Sequence, residues 1–373
     1  MLTLQQDRLS VRFPEIHPDA VCHIEFQRTL RIPDDNRTHQ LPPGLGCFPL
    51  AHVDDHAARL PESWHKRGGV FLPMHQSEAL WIRFTSSYPF AVKIAAGKIN
   101  AVTGKPWTTE LEGPTVKPRP AMRTPHGEVP ISLGWPSGER NPNIASAEGQ
   151  DYLAVPKQPW LDGFCVEQGK VRQFVAMPLG EGYTVEEQIT GEAVHGGLQI
   201  IVYPLKPELY RPRPAVRVVA SSASGMSGSL RSMSFGANET VTKSAEMGMA
   251  PGGLMDQVIH ADYFKPENYD QSVSAKCFVH LLNSVQYQGV TGNVPPHPAP
   301  TAADYTRAGL PWFKEWEPTP TAVPGAKVLR QLDSVAALGN KLGQQPLPDN
   351  QPLPDGVSKV VLAVPNQVRE GTF

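Results

Sequence analysis

The sequence of 373 residues has only four cysteines, Cys22, Cys47, Cys165 and Cys277, and no two lie in a Cys-x-x-Cys pair. A zinc cluster built mainly from cysteine is therefore not expected, and in a reducing compartment the four read as small core residues with room for one reactive thiol. No run of 18 apolar residues occurs, so a membrane span is not expected on length. An excess of either charge is also missing: 34 Lys and Arg face 36 Asp and Glu, for a net charge of −2. Nucleic-acid binders normally carry a basic face; Arg211, Arg213 and Arg217 are the nearest approach to one, so no nucleic-acid partner is expected. The opening MLTLQQDRLSVRFPEIHPDA has neither a basic start nor an apolar block. It does not read as a secretory leader, and the expected location is the cytoplasm.

The common catalytic templates are missing too. Gly225-Met226-Ser227-Gly228 is one residue short of the hydrolase elbow. Gly104-Lys105 lacks both the upstream glycine and the following hydroxyl residue of a phosphate loop.

What is abundant is proline, 39 residues, beside 32 glycines. Proline removes a backbone donor and blocks helix interiors, so short elements and many turns follow. Alternating patterns predict strands at Val70–Met74, Ala79–Phe84, Ala91–Ala96, Val171–Met177, Leu198–Tyr203 and Lys276–Asn283. A short helix is expected over 50–67, stopped by Pro61. A second is expected near 326–340, where Val328, Leu332, Val335 and Leu338 recur at helical spacing. Thr184–Ile189 reads as the continuation of a glycine-punctuated β-meander. Residues 104–150 hold eight prolines and lose apolar periodicity, which marks a long functional loop or an excursion between sheets. Ser- and Gly-rich 220–236 has the composition of a linker or mobile loop. The domains expected are thus a β-rich 1–219, a smaller α+β 237–343, and a proline-rich tail over 344–373. The tail repeats QPLPDN and QPLPDG, an extended spacer before a terminal strand able to add to a sheet edge in this molecule or a neighbour.

Three sets of residues are candidates for chemistry. His52 and His56, four apart on the expected helix with Asp55 beside them, suit a divalent metal, with His65 or His75 as a third ligand; the alternative is a solvated acidic helix start. Gly248, Gly252 and Gly253 make a glycine-rich loop able to bind an anion, or a structural turn. Trp160, Trp312 and Trp316, with Trp107 and Trp135, lie among prolines and glycines, where rings line a sugar or peptide groove or pin loops to the core. His260 with Asp262 and Asp256 is a weaker acid–base grouping, and His280, inside an apolar strand, reads as a core residue.

Gln158-Pro159-Trp160-Leu161-Asp162-Gly163, then RQFVAMPLGEGYTVEEQITGE and GGLQIIVYP, resemble blocks of a family of uncharacterised bacterial and fungal proteins. The likeness extends back to FQRTLRIPDDNRTHQLPPGLGCFPL and forward through MGMAPGGLMDQVI, CFVHLLNSVQYQGVTGNVPPHP and YTRAGLPWF. The resemblance implies no activity, cofactor or catalytic residue. It implies a basic residue near Met255, which this chain lacks.

The expectation is a mainly β, sandwich-like protein with a smaller α+β C-terminal part. Its expected role is non-catalytic binding or assembly, by self-association or with another protein. The alternatives are a metal-dependent enzyme using His52, Asp55 and His56, for which the cofactor is a divalent metal, and a carbohydrate-binding module.

Overall fold

The computed structural model describes residues 1–35, 37–113, 148–211, 245–314, 322–344, 350, 352–353 and 359–361, with backbone alone at 123–124, 127–128 and 361. The chain is mainly β, with its helices mostly in the C-terminal part. The long strands pair in a branching, largely antiparallel sheet. Val21–Thr29 pairs with Arg8–Arg12 on one side and Ala79–Thr85 on the other. Ala79–Thr85 hands on to Lys170–Pro178, which pairs with Glu246–Asp256. That strand meets Ala275–Asn283, followed by Leu198–Pro204 and Phe90–Ala96. Val70–Met74 adds in parallel to Ala275–Asn283.

One apolar cluster runs through all of these strands, from Leu9 and Phe26 through Phe90, Phe164 and Leu198 to Met249, Leu281 and Leu329. Residues on both sides of 220–236 therefore share one sheet and one core, which corrects the boundary expected there. The 220–236 segment itself lies outside the described residues, as does most of the 104–150 excursion and of the tail. Of the tail, Lys359–Val361 pairs in parallel with Trp312–Lys314 of the same chain.

Three elements differ from expectation, each for a local reason. Residues 50–67 are not one helix: Ala51–His52 is a strand and Asp54–Arg59 a 3-10 turn broken at His56 (φ −125°). Pro61 starts a new helix, Glu62–Arg67, rather than ending one. Thr184–Ile189 is not a strand, because Thr184 and Glu187 form a capping box that opens the helix Val185–Thr190. The 326–340 helix is two pieces, Lys327–Arg330 and Val335–Lys341, the second capped by the Ser334 hydroxyl.

Candidate functional site

The glycine-rich stretch is strand rather than loop. Gly248, Gly252 and Gly253 lie inside Glu246–Asp256, paired with Lys170–Pro178. Phe174 faces Pro251 and Arg172 faces Leu254, so Gly252 and Gly253 together oppose Gln173 in a bulge that accommodates the proline. A Cβ on Gly253 would sit 2.5 Å from the Pro33 carbonyl oxygen, and one on Gly252 2.5 Å from a Val175 methyl. These glycines allow close packing, and their place in a buried ladder corrects the reading as an anion loop.

His52 and His56 do not share a helix face, because one is in a strand and the other in the broken 3-10 turn. Asp55 is exposed, and His56 packs edge-on against Phe71. His65 approaches Asp54 instead, at 3.7 Å. Among the described residues no group of three or more His, Cys, Asp or Glu is placed to hold a metal ion. Trp312 is fully buried, with its Nε1 donating to Thr306 Oγ1 (3.1 Å), so its ring has no face for a ligand. Trp160 is half-buried against the core, and Trp316 and Trp135 lie outside the described residues.

Asp256 accepts from Gln40, whereas Asp262 is buried and accepts from Tyr269 Oη (2.6 Å) and the Phe264 N–H (3.0 Å). Burial pushes the Asp262 carboxyl up in spite of these bonds, and pushes the Tyr269 phenol up as well. The pair is internal and holds 262–269 against the sheet.

A groove of about 570 Å³ opens on the surface. Its walls are the turn at Val102, Thr103 and Lys105, the stretch Glu148–Gln150, the hairpin at Val166 and Glu167, and the segment from Val323 to Arg330. Two glycines bring these walls together. Gly325 (φ +80°) lies where a Cβ would meet the Glu167 backbone nitrogen at 2.5 Å, and Gly104 (φ +67°) where one would meet a Val328 methyl at 2.3 Å. Leu329 anchors the Lys327–Arg330 helix in the core, and the Ala326 N–H donates to the Cys165 carbonyl (3.0 Å). The rim carries paired charges, Arg330 with Glu167 (3.0 Å) and Lys105 with Glu112 (2.5 Å).

Below the groove the polar interior is held by residues that sequence reading missed. Lys93 is 1% exposed and pairs with Asp151 at 2.6 Å. Its ammonium also donates to Thr108 Oγ1 (2.9 Å) and the Glu110 carbonyl (2.7 Å), strapping 107–112 across the sheet. Burial pushes the Asp151 carboxyl up against the pull of Lys93. Two buried glutamines act as surrogate peptide groups for the strandless segment 258–262. Gln158 donates to the Val258 carbonyl (3.2 Å) and accepts from the His260 N–H (2.8 Å). Two residues on, Gln150 donates to the His260 carbonyl (3.1 Å) and accepts from the Asp262 N–H (2.8 Å). The backbone of 258–262 thus finds partners without joining a ladder. The segment in turn supports the groove wall through Val323 N–H to the Ile259 carbonyl (2.8 Å).

No protein-family model, no curated protein and no solved structure matches this chain.

Proposed function

We propose that this chain is a non-catalytic binding or assembly protein. It engages a partner protein, a second copy of itself being the first case to test, through the groove at 102–105, 148–150 and 323–330. One observation carries the reading. The buried ionisable groups around the groove, Lys93, Asp151 and Asp262, are engaged by internal partners, while the groove is an open concavity rimmed by exposed, weakly paired charges. Catalytic groups must face a substrate with unspent donors or acceptors, and these do not. As part of the same proposal the protein works in the cytoplasm, where four unpaired cysteines are at home. No described helix is long and apolar enough to cross a membrane. The proposal includes membership in the family whose blocks the sequence resembles, a likeness that implies no catalytic residue.

Sedimentation of the purified chain over a wide concentration range tests the self-assembly form. The expected result is a mass that rises with concentration, weakened in a Lys105→Glu/Lys327→Glu variant whose melting temperature is unchanged. A constant one-chain mass overturns it.

A further inference from the structure

A second surface, apart from the groove, gathers three cations and a histidine from four segments. Arg67 comes from the end of the Glu62–Arg67 helix, Lys98 from the turn after Phe90–Ala96, His195 from the approach to Leu198–Pro204, and Lys276 from Ala275–Asn283. The alternation of the last strand places Lys276, Phe278 and His280 on one face, opposite the core residues Cys277, Val279 and Leu281. Arg67 Cζ lies 5.2 Å from the Phe278 ring centroid, and its guanidinium donates to the carbonyls of Val194 (2.9 Å) and His195 (3.2 Å). Lys98 Nζ lies 5.9 Å from the ring centroid of the half-buried Trp107. Gly97 (φ +53°) seats the Lys98 turn directly on Glu186, 2.5 Å from where a Cβ would stand.

Neighbouring lysines have acidic partners, Lys66 with Glu62 (2.7 Å) and Lys93 with Asp151 (2.6 Å). Burial pulls the Lys98 ammonium down, and the positive charges of Arg67 and Lys276 add to that pull. The carboxylates that face the cluster are Glu186 and Glu192. Glu186 is 2% exposed, and both its oxygens accept backbone N–H groups: Val194 and His195 on Oε1, His195 and Gly196 on Oε2, at 2.8 to 3.2 Å. Glu192 is exposed at the rim. His195 Nδ1 is enclosed and has no hydrogen-bond partner among the described residues. The positive charges of Arg67, Lys98 and Lys276, brought together from three segments, repel unless an anion sits among them, and the enclosed ring nitrogen of His195, whose pKa burial lowers, calls for a partner.

We propose that Arg67, Lys98, His195 and Lys276 bind a phosphate dianion, free or as the head of a small organic ester, with Trp107 and Phe278 flanking the ester group. The guanidinium retains N–H groups beyond the two used by the loop, the two ammonium groups carry three donors each, and a phosphate offers oxygens to all of them.

The test uses the full chain in chloride buffer, titrated with inorganic phosphate and separately with phenyl phosphate up to ~10 mM, a range that covers millimolar affinity. Melting temperature and phosphorus NMR line width are read at matched ionic strength. Saturable stabilisation of the wild type is expected. In a Lys98→Gln/Lys276→Gln variant the dissociation constant should rise by about tenfold or more, as expected when two charge-assisted contacts are lost. A Lys66→Gln variant should bind as the wild type does. Without ligand the double variant should melt at or above the wild-type temperature, because repulsion is relieved. Equal affinity for the two probes identifies free phosphate as the ligand, and tighter phenyl phosphate identifies an ester. A rise in melting temperature that is unsaturable, or the same in wild type and double variant, is the general salt effect and overturns the site.

Discussion

Two polar regions of this protein lie within one sheet and are built on opposite rules. Beneath the groove, Lys93, Asp151, Gln150, Gln158 and Asp262 are buried and engaged by internal donors and acceptors. On the face formed by Arg67, Lys98, His195 and Lys276, three positive charges act on one another and the nearest buried carboxylate serves the backbone. The first arrangement closes structure, because a buried polar group left alone costs more than a paired one returns. The second leaves interaction capacity facing outward. The contrast teaches that density of polar groups does not mark a site; unanswered capacity does.

The sharpest way to break the comparison is to remove one member of the closed region. Lys93→Met leaves Asp151 buried opposite an apolar chain and should cost about 3–5 kcal/mol, measured by urea unfolding. Adding Asp151→Asn should recover much of that loss, because the amide oxygen can still accept the Glu112 N–H that Asp151 Oδ1 takes at 2.9 Å. If Lys93→Met unfolds like the wild type, the strap is not the anchor described above.

A smaller loss, about 1–3 kcal/mol, is expected for Gln158→Met, which keeps side-chain volume but strips partners from the Val258 carbonyl and the His260 N–H. Hydrogen exchange should report it locally, with faster exchange at His260 than in the Leu198–Pro204 strand. Uniform acceleration across both would show that 258–262 is not held by the glutamines.

The third prediction concerns His280, which lies behind the cationic face. It is 1% exposed, stacked between Trp64 and Phe278 at centroid distances of 4.3 and 4.2 Å, with Nε2 3.1 Å from the Gly68 carbonyl. Burial, aided by the Arg67 charge, lowers its pKa from 6.5 to about 3. Above pH 6.5 the ring is neutral in both folded and unfolded chains and contributes no slope. Below it the unfolded chain takes up a proton that the folded chain refuses, so stability falls with pH until about 3. The slope from this group is about 1.4 kcal/mol per pH unit. Comparing unfolding at about pH 7.5 and about pH 5 in the wild type and in His280→Gln isolates it, since the variant should lose that part of the acid sensitivity. Identical slopes would mean that the ring is protonated in the fold.

Much of the fold was legible beforehand. The strands at Val70–Met74 and Leu198–Pro204 follow from β-branched, apolar runs closed by turn residues. The Val185–Thr190 helix was also legible, since Thr184-Val185-Glu186-Glu187 carries the capping pattern, but the surrounding meander masked it. The glycine-rich stretch misled because glycine signals either a turn or a close approach, and only the carbonyl of Pro33 and the methyls of Val175 decide which. His52 and His56 misled because spacing of four unites a face only on a continuous helix.

The sequence by itself determined the class: dense proline and glycine forbid long helices, and alternating apolar positions require strands with one buried face. It also determined the balance of charge. Which charges are answered was decided by tertiary structure alone. Lys93 meets Asp151, while Lys98 feels the positive charges of Arg67 and Lys276, although Lys93 and Lys98 are five residues apart in the same short stretch of chain. Electrostatic partnership depends on distance and burial in space, and strand pairing across more than a hundred residues sets both.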